Sequence, residues 1–135
     1  AALRKARLVW DTYEALKRRG DFFSPHLFVL YDEGGRVSTS ARHFGGASEQ
    51  GEDPFTGSAT GGMGAYLYRY GLLTGAEFIA LQGASQGRPG IASCTVIPDS
   101  SRPGGVGAVE VTGTAVAVYT GELTVLPKAE RLDTV

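Results

Sequence analysis

Apolar positions along this chain change their spacing, and each change predicts a different kind of element. Near the start, a stripe with intervals of three and four predicts a helix over residues 3–19 and consists of Leu3, Ala6, Trp10, Tyr13 and Leu16. A short, strongly apolar β run follows at 27–31, the turn Glu33-Gly34-Gly35-Arg36 predicts a β-hairpin, and 37–44 is predicted to be the returning strand. The chain is therefore predicted to begin with a helix and a hairpin.

The remainder combines one more helical pattern with several β patterns. An apolar helical pattern ends at Tyr70-Gly71, and strand-like runs follow at 77–81, 91–97 and 106–126. Helices that interrupt an otherwise antiparallel set of strands indicate an α+β architecture rather than alternating βαβ units. With 135 residues the chain is long enough for one domain with a core.

The second helix has an unusual composition for a helix. Gly61, Gly62 and Gly64 each disfavour helix by roughly 1 kcal/mol relative to alanine, so tertiary packing has to hold it. No charged residue lies between Ala59 and Leu67, and a helix that is apolar on all sides is one that other elements surround. We predict a central helix wrapped by strands, with glycines that let the sheet approach closely.

Small and hydroxyl residues lead into this helix, in the run Thr56-Gly57-Ser58-Ala59. The unpaired N–H groups and the positive dipole end of a helix N-terminus attract an anion. A carboxylate is favoured over a phosphate because no Gly-Lys-Ser/Thr follows. We predict that Thr56, Gly57, Ser58 and Ala59 bind a small carboxylate, and an ordinary structural loop is the alternative.

Asp53 is the carboxylate that stands out, because it lies just ahead of this helix. The helix dipole and the nearby N–H donors favour its ionised form, whereas desolvation beneath a bound substrate disfavours it. An ionised Asp53 could accept a hydrogen bond from a substrate amine or hydroxyl, or move a proton on a carbon acid. Its structural alternative is a loop tie that resembles an N-cap.

Other kinds of chemistry find little support in the sequence. There is no Ser-His-Asp set at motif spacing, and His26 and His43 lie far apart without partnering cysteines, so no metal site is predicted. We interpret His43 as a core or surface imidazole rather than a general base. Cys94 lies in a strand-like run, where burial as a small hydrophobe is expected.

Composition and charge narrow the function classes further. The net charge is -1 and no basic stripe is present, so neither nucleic acid nor an anionic membrane is an expected partner. No apolar run approaches the roughly 18 residues of a membrane span. A single cysteine cannot form an internal disulfide, which fits a cytoplasmic protein. Residues 45–51 form a loop rich in small residues, either a rim or a solvated loop, and the tail from 127 is predicted to fray.

Several linked motifs resemble the second half of the phenazine-biosynthesis PhzF-like family, which shares its fold with diaminopimelate epimerase. The first motif is Arg42-His43-Phe44, and the second covers residues 51–59. The others follow in order: residues 70–73, Gln82-Gly83, Gly87-Arg88-Pro89 and residues 111–115. The resemblance implies half of a pseudo-symmetric pair, in which each half wraps a mixed, mostly antiparallel sheet around a central helix. The active site of that fold lies in the cleft between the halves.

The resemblance also implies a function. PhzF-like proteins catalyse cofactor-independent proton shifts or epimerisation on small carboxylated substrates. The family's binding aspartate falls on Asp53, our catalytic candidate, and its oxyanion-holding glycine and serine fall on Gly57 and Ser58. No cofactor or metal is implied, and Glu52 matches the motif without an assigned role.

One departure from the family affects every functional expectation. The principal acid/base of the family is a glutamate in the first half, and nothing in this chain resembles that half. The chain is therefore expected to be the C-terminal domain or a fragment of an isomerase, partnered by an N-terminal half or a complementary subunit. The alternatives are a non-catalytic module that binds small carboxylates and a structural partner subunit. A face built to meet another domain would be left apolar, so a symmetric homodimer is also expected.

Overall fold

The computed structural model describes residues 2–45, 51–122 and 124. Its helices are Ala2–Lys5 (α1), Trp10–Arg19 (α2) and Gly57–Arg69 (α3), with a short 3₁₀ turn at Ala84–Gln86. Its strands are His26–Glu33 (β1), Arg36–Phe44 (β2), Glu52–Asp53 (β3), Glu77–Gln82 (β4), Gly90–Pro98 (β5) and Val106–Thr112 (β6). Most of the predicted loop at 45–51 and the predicted frayed tail from 127 lie outside the described residues.

The six strands form one sheet in the order β1-β2-β4-β5-β6, and β3 pairs with β2 beside this path. Every pairing is antiparallel except that of β2 with β4. The parallel pair needs a crossover connection, and α3 lies within that connection. The predicted α+β class and the mixed, mostly antiparallel sheet are confirmed.

The β1–β2 hairpin forms at the predicted turn. Gly34 and Gly35 have φ of 65° and 89°, a left-handed conformation that glycine adopts readily and that a two-residue hairpin turn requires. Asp32 Oδ1 accepts a hydrogen bond from the Gly35 amide at 2.8 Å. The resulting register places His26 opposite His43 at the far end of the hairpin.

One face of the sheet packs against α3 and forms the core. Met63 and Leu67 of the helix meet the inward side chains of β2, β4 and β5, among them Val37, Phe78, Ala80, Cys94 and Val96. A Cβ on Gly64 would lie 3.0 Å from both the Phe78 ring and Val109, so this glycine permits the close approach that the sequence predicts. Gly61 and Gly62 have no such neighbour within 4 Å.

The opposite side of α3 is exposed. Tyr66 and Tyr70 stack with ring centroids 4.6 Å apart and remain 48% and 63% exposed. Within the described residues, the sheet therefore covers the helix from one side. None of the helices in this part of the chain is long and apolar enough to cross a membrane.

The predicted helix over residues 3–19 is wrong in one respect, because it is divided into α1 and α2. Val9 between them is extended, with φ -96° and ψ 101°. Arg42 Nη1 donates to the carbonyl oxygens of Leu3 and Ala6 at 3.0 Å each, and a continuous helix would need those carbonyls for its own amides. The buried guanidinium thus competes with the helix for acceptors.

The strand predicted for 106–126 ends at Thr112, so its second part is also wrong for the described residues. Residues 113–122 belong to no helix or strand, and Val116, Val118 and Tyr119 are 86–88% exposed. A strand forms only where a neighbour completes its hydrogen bonds, and the described residues supply none for this segment. Its alternating, β-branched sequence is strand-like but has no partner here.

Candidate active site

Asp53 lies at the end of the two-residue strand β3, beside the start of α3. Its backbone pairs with His43 of β2, and its side chain is exposed. Oδ2 accepts a hydrogen bond from the Thr56 hydroxyl at 2.7 Å. Among the described residues no hydrogen bond reaches Oδ1, so this oxygen is available to a ligand.

Glu52, the neighbour of Asp53, is held by Arg42. Glu52 Oε1 accepts from Arg42 Nε at 2.9 Å and from the Ser85 hydroxyl at 2.6 Å, while Oε2 accepts from Arg42 Nη2 at 2.7 Å. The hydrogen bond from the guanidinium lowers the pKa of Glu52, and the same bond raises the pKa of Arg42. This two-pronged ion pair fixes β3 and therefore the position of Asp53.

Thr56 occupies the N-cap position of α3 but does not cap the helix with its side chain. Its hydroxyl is bound to Asp53, and its carbonyl accepts the first helical hydrogen bond, from the Thr60 amide at 2.9 Å. The amides of Gly57, Ser58 and Ala59 precede that bond and have no acceptor within the helix. Gly57 and Ser58 are exposed and Ala59 is half-buried, so this N-terminus lies at the surface of the described structure.

Gln82, at the end of β4, connects the sheet to this loop. It is 4% exposed. Its Nε2 donates to the Asp53 carbonyl at 2.7 Å and to Thr56 Oγ1 at 3.2 Å, and its Oε1 accepts from the Thr56 amide at 3.3 Å. One buried side chain thus fixes both ends of the turn between Asp53 and the helix.

Two histidines lie next to Asp53 in the sheet: His43 pairs with Asp53, and His26 pairs with His43. His43 is 6% exposed, and its Nε2 is 2.7 Å from the Ser24 hydroxyl while its Nδ1 is 3.3 Å from Nδ1 of His26. Burial lowers the pKa of His43, and the Asp53 carboxylate partly offsets this. Burial, and then His43, lower the pKa of His26 to about 4. Both rings are therefore neutral at pH 7, and the burial of His43 agrees with its interpretation as a core or surface imidazole.

The structure brings the predicted residues together at one end of α3. Asp53 and Thr56 touch, and Gly57, Ser58 and Ala59 form the first helical turn. Sequence reasoning missed two residues that hold this arrangement, Arg42 and Gln82. Gln82 could have been found, because its strand places it in phase with the inward residues Phe78 and Ala80.

Two further expectations concern metals and the cysteine. Across 2–45 and 51–122, no three His, Cys, Asp or Glu side chains come together as a metal site. Cys94 is a free, buried thiol in the core, as expected, and burial raises its pKa to about 11. Such a thiol is a small hydrophobe rather than a nucleophile.

Known proteins resemble this chain. A family described as phenazine biosynthesis-like protein, PhzC-PhzF, matches residues 11–121. An uncharacterized isomerase of Clostridium acetobutylicum is 34% identical over 102 residues, which cover 73% of this chain and 33% of that protein. The uncharacterized isomerase YfhB of Bacillus subtilis is 43% identical over 65 residues, or 48% of this chain and 21% of that protein. The matched part spans a third or less of these relatives. Because the family match covers most of the chain, this protein belongs to the phenazine biosynthesis-like PhzC-PhzF family.

Proposed function

We propose that this chain is the C-terminal domain of a cofactor-independent isomerase that moves a proton on a small carboxylated substrate. The observation that carries the proposal is the pairing of an exposed carboxylate with an open helix N-terminus. Asp53 Oδ1 accepts no hydrogen bond from the described residues, and Gly57 and Ser58, whose amides have no acceptor within the helix, are exposed a few residues away. The relatives named as isomerases support the reaction class.

The two halves of this site have complementary tasks. The substrate carboxylate faces the amides of Gly57, Ser58 and Ala59, where the helix dipole stabilises negative charge. Asp53 takes a proton from a carbon next to that carboxylate, and the electron pair left on the carbon spreads onto the carboxylate oxygens. The proton returns to another carbon, or to the opposite face of the same carbon. The family that this chain resembles uses a second acid/base group in its first half, and an N-terminal half would supply that group here.

The N-terminal half is the partner that we propose first. The chain matches a third or less of its curated relatives, and residues 114–120 have a strand-like sequence with exposed apolar side chains. An edge strand on the missing half would complete the hydrogen bonds of this segment. Without that half, the same apolar surface favours a symmetric homodimer. We propose the cytoplasm as the location, since a buried free thiol fits a reducing compartment.

The proposal is tested by supplying the missing half. The N-terminal part of the Clostridium relative is co-expressed with this chain, and deuterium uptake from D₂O into a panel of small amino and unsaturated carboxylic acids is followed by mass spectrometry. We expect uptake only with both halves, and a loss of about 100-fold or more in Asp53→Asn. Asp11→Asn, a change at an exposed aspartate of α2, is the control. Equal uptake in Asp53→Asn and the parent would contradict the catalytic assignment.

The anion site is tested separately on the chain alone, with propionate as the probe. A Cβ on Gly57 meets nothing within 4 Å, so Gly57→Val folds without a clash but fills the space in front of the helix. Gly62 is equally open, and Gly62→Val is the matched control in the same helix. We expect propionate to raise the melting temperature of the parent and of Gly62→Val but not of Gly57→Val. Binding without deuterium uptake in the reconstituted protein would favour the alternative, a carboxylate-binding module.

A further inference from the structure

The hydrogen bonds around Gln82 have a fixed direction. The Thr56 backbone N–H can only donate and the Asp53 carbonyl can only accept, so Oε1 of Gln82 faces the first and Nε2 faces the second. The orientation of the buried amide is therefore determined by two backbone groups and does not depend on any side-chain proton. Nε2 also lies 3.2 Å from Thr56 Oγ1, and as an N–H donor it makes that oxygen an acceptor.

The direction of the hydrogen bonds around Gln82 also determines the direction of the bond between Thr56 and the Asp53 carboxylate. The Thr56 hydroxyl has a single proton, and its oxygen already accepts from Nε2 of Gln82. The hydroxyl therefore donates its hydrogen bond to Asp53 Oδ2, 2.7 Å away. Oδ2 is therefore the oxygen that accepts from Thr56, whereas Oδ1 accepts no hydrogen bond from the described residues.

We propose that Gln82 is a positioning residue for the site: through the Thr56 hydroxyl it holds Asp53 Oδ2 as an acceptor and leaves Oδ1 as the oxygen that meets the substrate. This inference rests on the proposed function of Asp53. It assigns a role to a residue that touches no substrate and lies on a different strand from the carboxylate. Without Gln82 the Thr56 hydroxyl can rotate, and the carboxylate loses its fixed orientation.

Two probes that differ by one group measure the effect. L-alanine and propionate both offer a carboxylate to the helix N-terminus, but only alanine carries an ammonium group that Oδ1 of Asp53 can bind. The ratio of their dissociation constants, measured by calorimetry on the whole chain, reports on Oδ1. We expect Gln82→Met and Thr56→Val each to reduce the alanine preference by roughly two- to tenfold, the effect of one hydrogen bond. The double variant should lose no more than either single one, because both act in the same chain of bonds.

Two more variants separate positioning from a general loosening of the fold. Thr56→Ser should restore the preference that Thr56→Val loses, since it returns the hydroxyl. Gln86→Met is matched to Gln82→Met, because Gln86 also donates its side-chain amide to a β3 carbonyl, that of Glu52, but has no bond to Thr56. Gln86→Met should keep the parent ratio. A preference that survives Gln82→Met, or losses that add in the double variant, would overturn the proposal.

A measurement without ligand keeps the two proposals apart. In the NMR spectrum, the Gln82 side-chain amide protons should exchange slowly, and one of them should exchange roughly two- to tenfold faster in Thr56→Val. An unchanged exchange rate would overturn the inference about Gln82 even if both probes bind. If neither probe binds the parent chain while the exchange result holds, the proposed anion site fails and the hydrogen-bond chain is a structural tie only.

Discussion

The two carboxylates of β3 are adjacent in sequence and opposite in environment. Glu52 accepts two bonds from a guanidinium and one from a hydroxyl, and its side chain is 12% exposed. Asp53, on the other side of the strand, accepts a single bond from Thr56 and is exposed. Adjacent residues on a strand point to opposite faces, so one motif of two acidic residues places one carboxylate in each environment.

The difference distinguishes a structural carboxylate from a candidate functional one. Both oxygens of Glu52 accept hydrogen bonds from groups of this chain, and the loss of Glu52 would leave Arg42 buried without its partner. Asp53 has a free oxygen and a fixed position, and its loss would leave nothing buried unpaired. Stability should therefore depend on the Glu52 side of β3, and ligand chemistry on the Asp53 side.

The largest expected effect is on the Glu52 side, in Arg42→Met. The Arg42 and Glu52 side chains are 10% and 12% exposed, and the removal of one partner of such a pair leaves a charge without compensation. We expect the free energy of unfolding to fall by about 3–5 kcal/mol, measured by urea denaturation. Arg42→Met also removes one of the two hydrogen-bond donors to the Leu3 carbonyl and to the Ala6 carbonyl, so the attachment of α1 to the sheet should weaken.

The control for this prediction is the pair of Arg102 and Asp99, in which the arginine is exposed. Arg102 Nε lies 2.7 Å from Asp99 Oδ2, the same distance as between Arg42 Nη2 and Glu52 Oε2, but the Arg102 side chain is 74% exposed. Arg102→Met should leave the denaturation midpoint almost unchanged, because an ion pair in water contributes little. If Arg42→Met were equally mild, Glu52 would not be the structural member of the two carboxylates.

A second, smaller effect is that the two histidines and the Arg42–Glu52 pair should lose their contributions to stability in different pH ranges. His26 has a folded pKa of about 4 against an ordinary value of 6.5, so the unfolded chain binds the proton first and stability falls as the pH drops from 6.5 towards 4. His43 acts in the same direction. Glu52 has a folded pKa below its ordinary 4.5, so its contribution is complete above that value and is lost only at more acidic pH.

Denaturation midpoints between pH 3 and 8 test this separation. His26→Gln should flatten the profile between pH 6.5 and 4, and Arg42→Met should flatten the part below 4.5. Lys17→Gln, a change at an exposed residue of α2, is the control and should keep the parent profile. A His26→Gln profile that matches the parent would mean that the titration of His26 does not contribute to the loss of stability in this pH range.

The sequence predicts the Asp53 side better than the Glu52 side, for a physical reason. Local sequence patterns directly indicate the helix start, its unpaired amides and the aspartate that precedes it, because all three are local features. The Arg42–Glu52 pair joins residues ten apart through sheet pairing, and it also takes acceptors from α1, which no periodicity reports. The same limit explains residues 113–122, whose strand pattern is correct as a propensity but requires a partner that the described residues do not supply.

The smallest expected effect on stability is that of Asp53→Asn, and it gives the sharpest form of the comparison. The amide is nearly isosteric, its oxygen can still accept from Thr56, and the position is exposed, so the free energy of unfolding should change by no more than about 0.5 kcal/mol. The same exchange one residue earlier, Glu52→Gln, should cost several times more, because it removes the charge that Arg42 requires.

The ligand response should show the reverse order: Asp53→Asn removes the preference for alanine over propionate, whereas Glu52→Gln keeps it at temperatures where the chain is folded. Parallel denaturation and calorimetry on the two variants would settle the assignment. Equal losses of stability in the two variants would mean that both carboxylates are structural. An intact alanine preference in Asp53→Asn would mean that a residue other than Asp53 binds the amine.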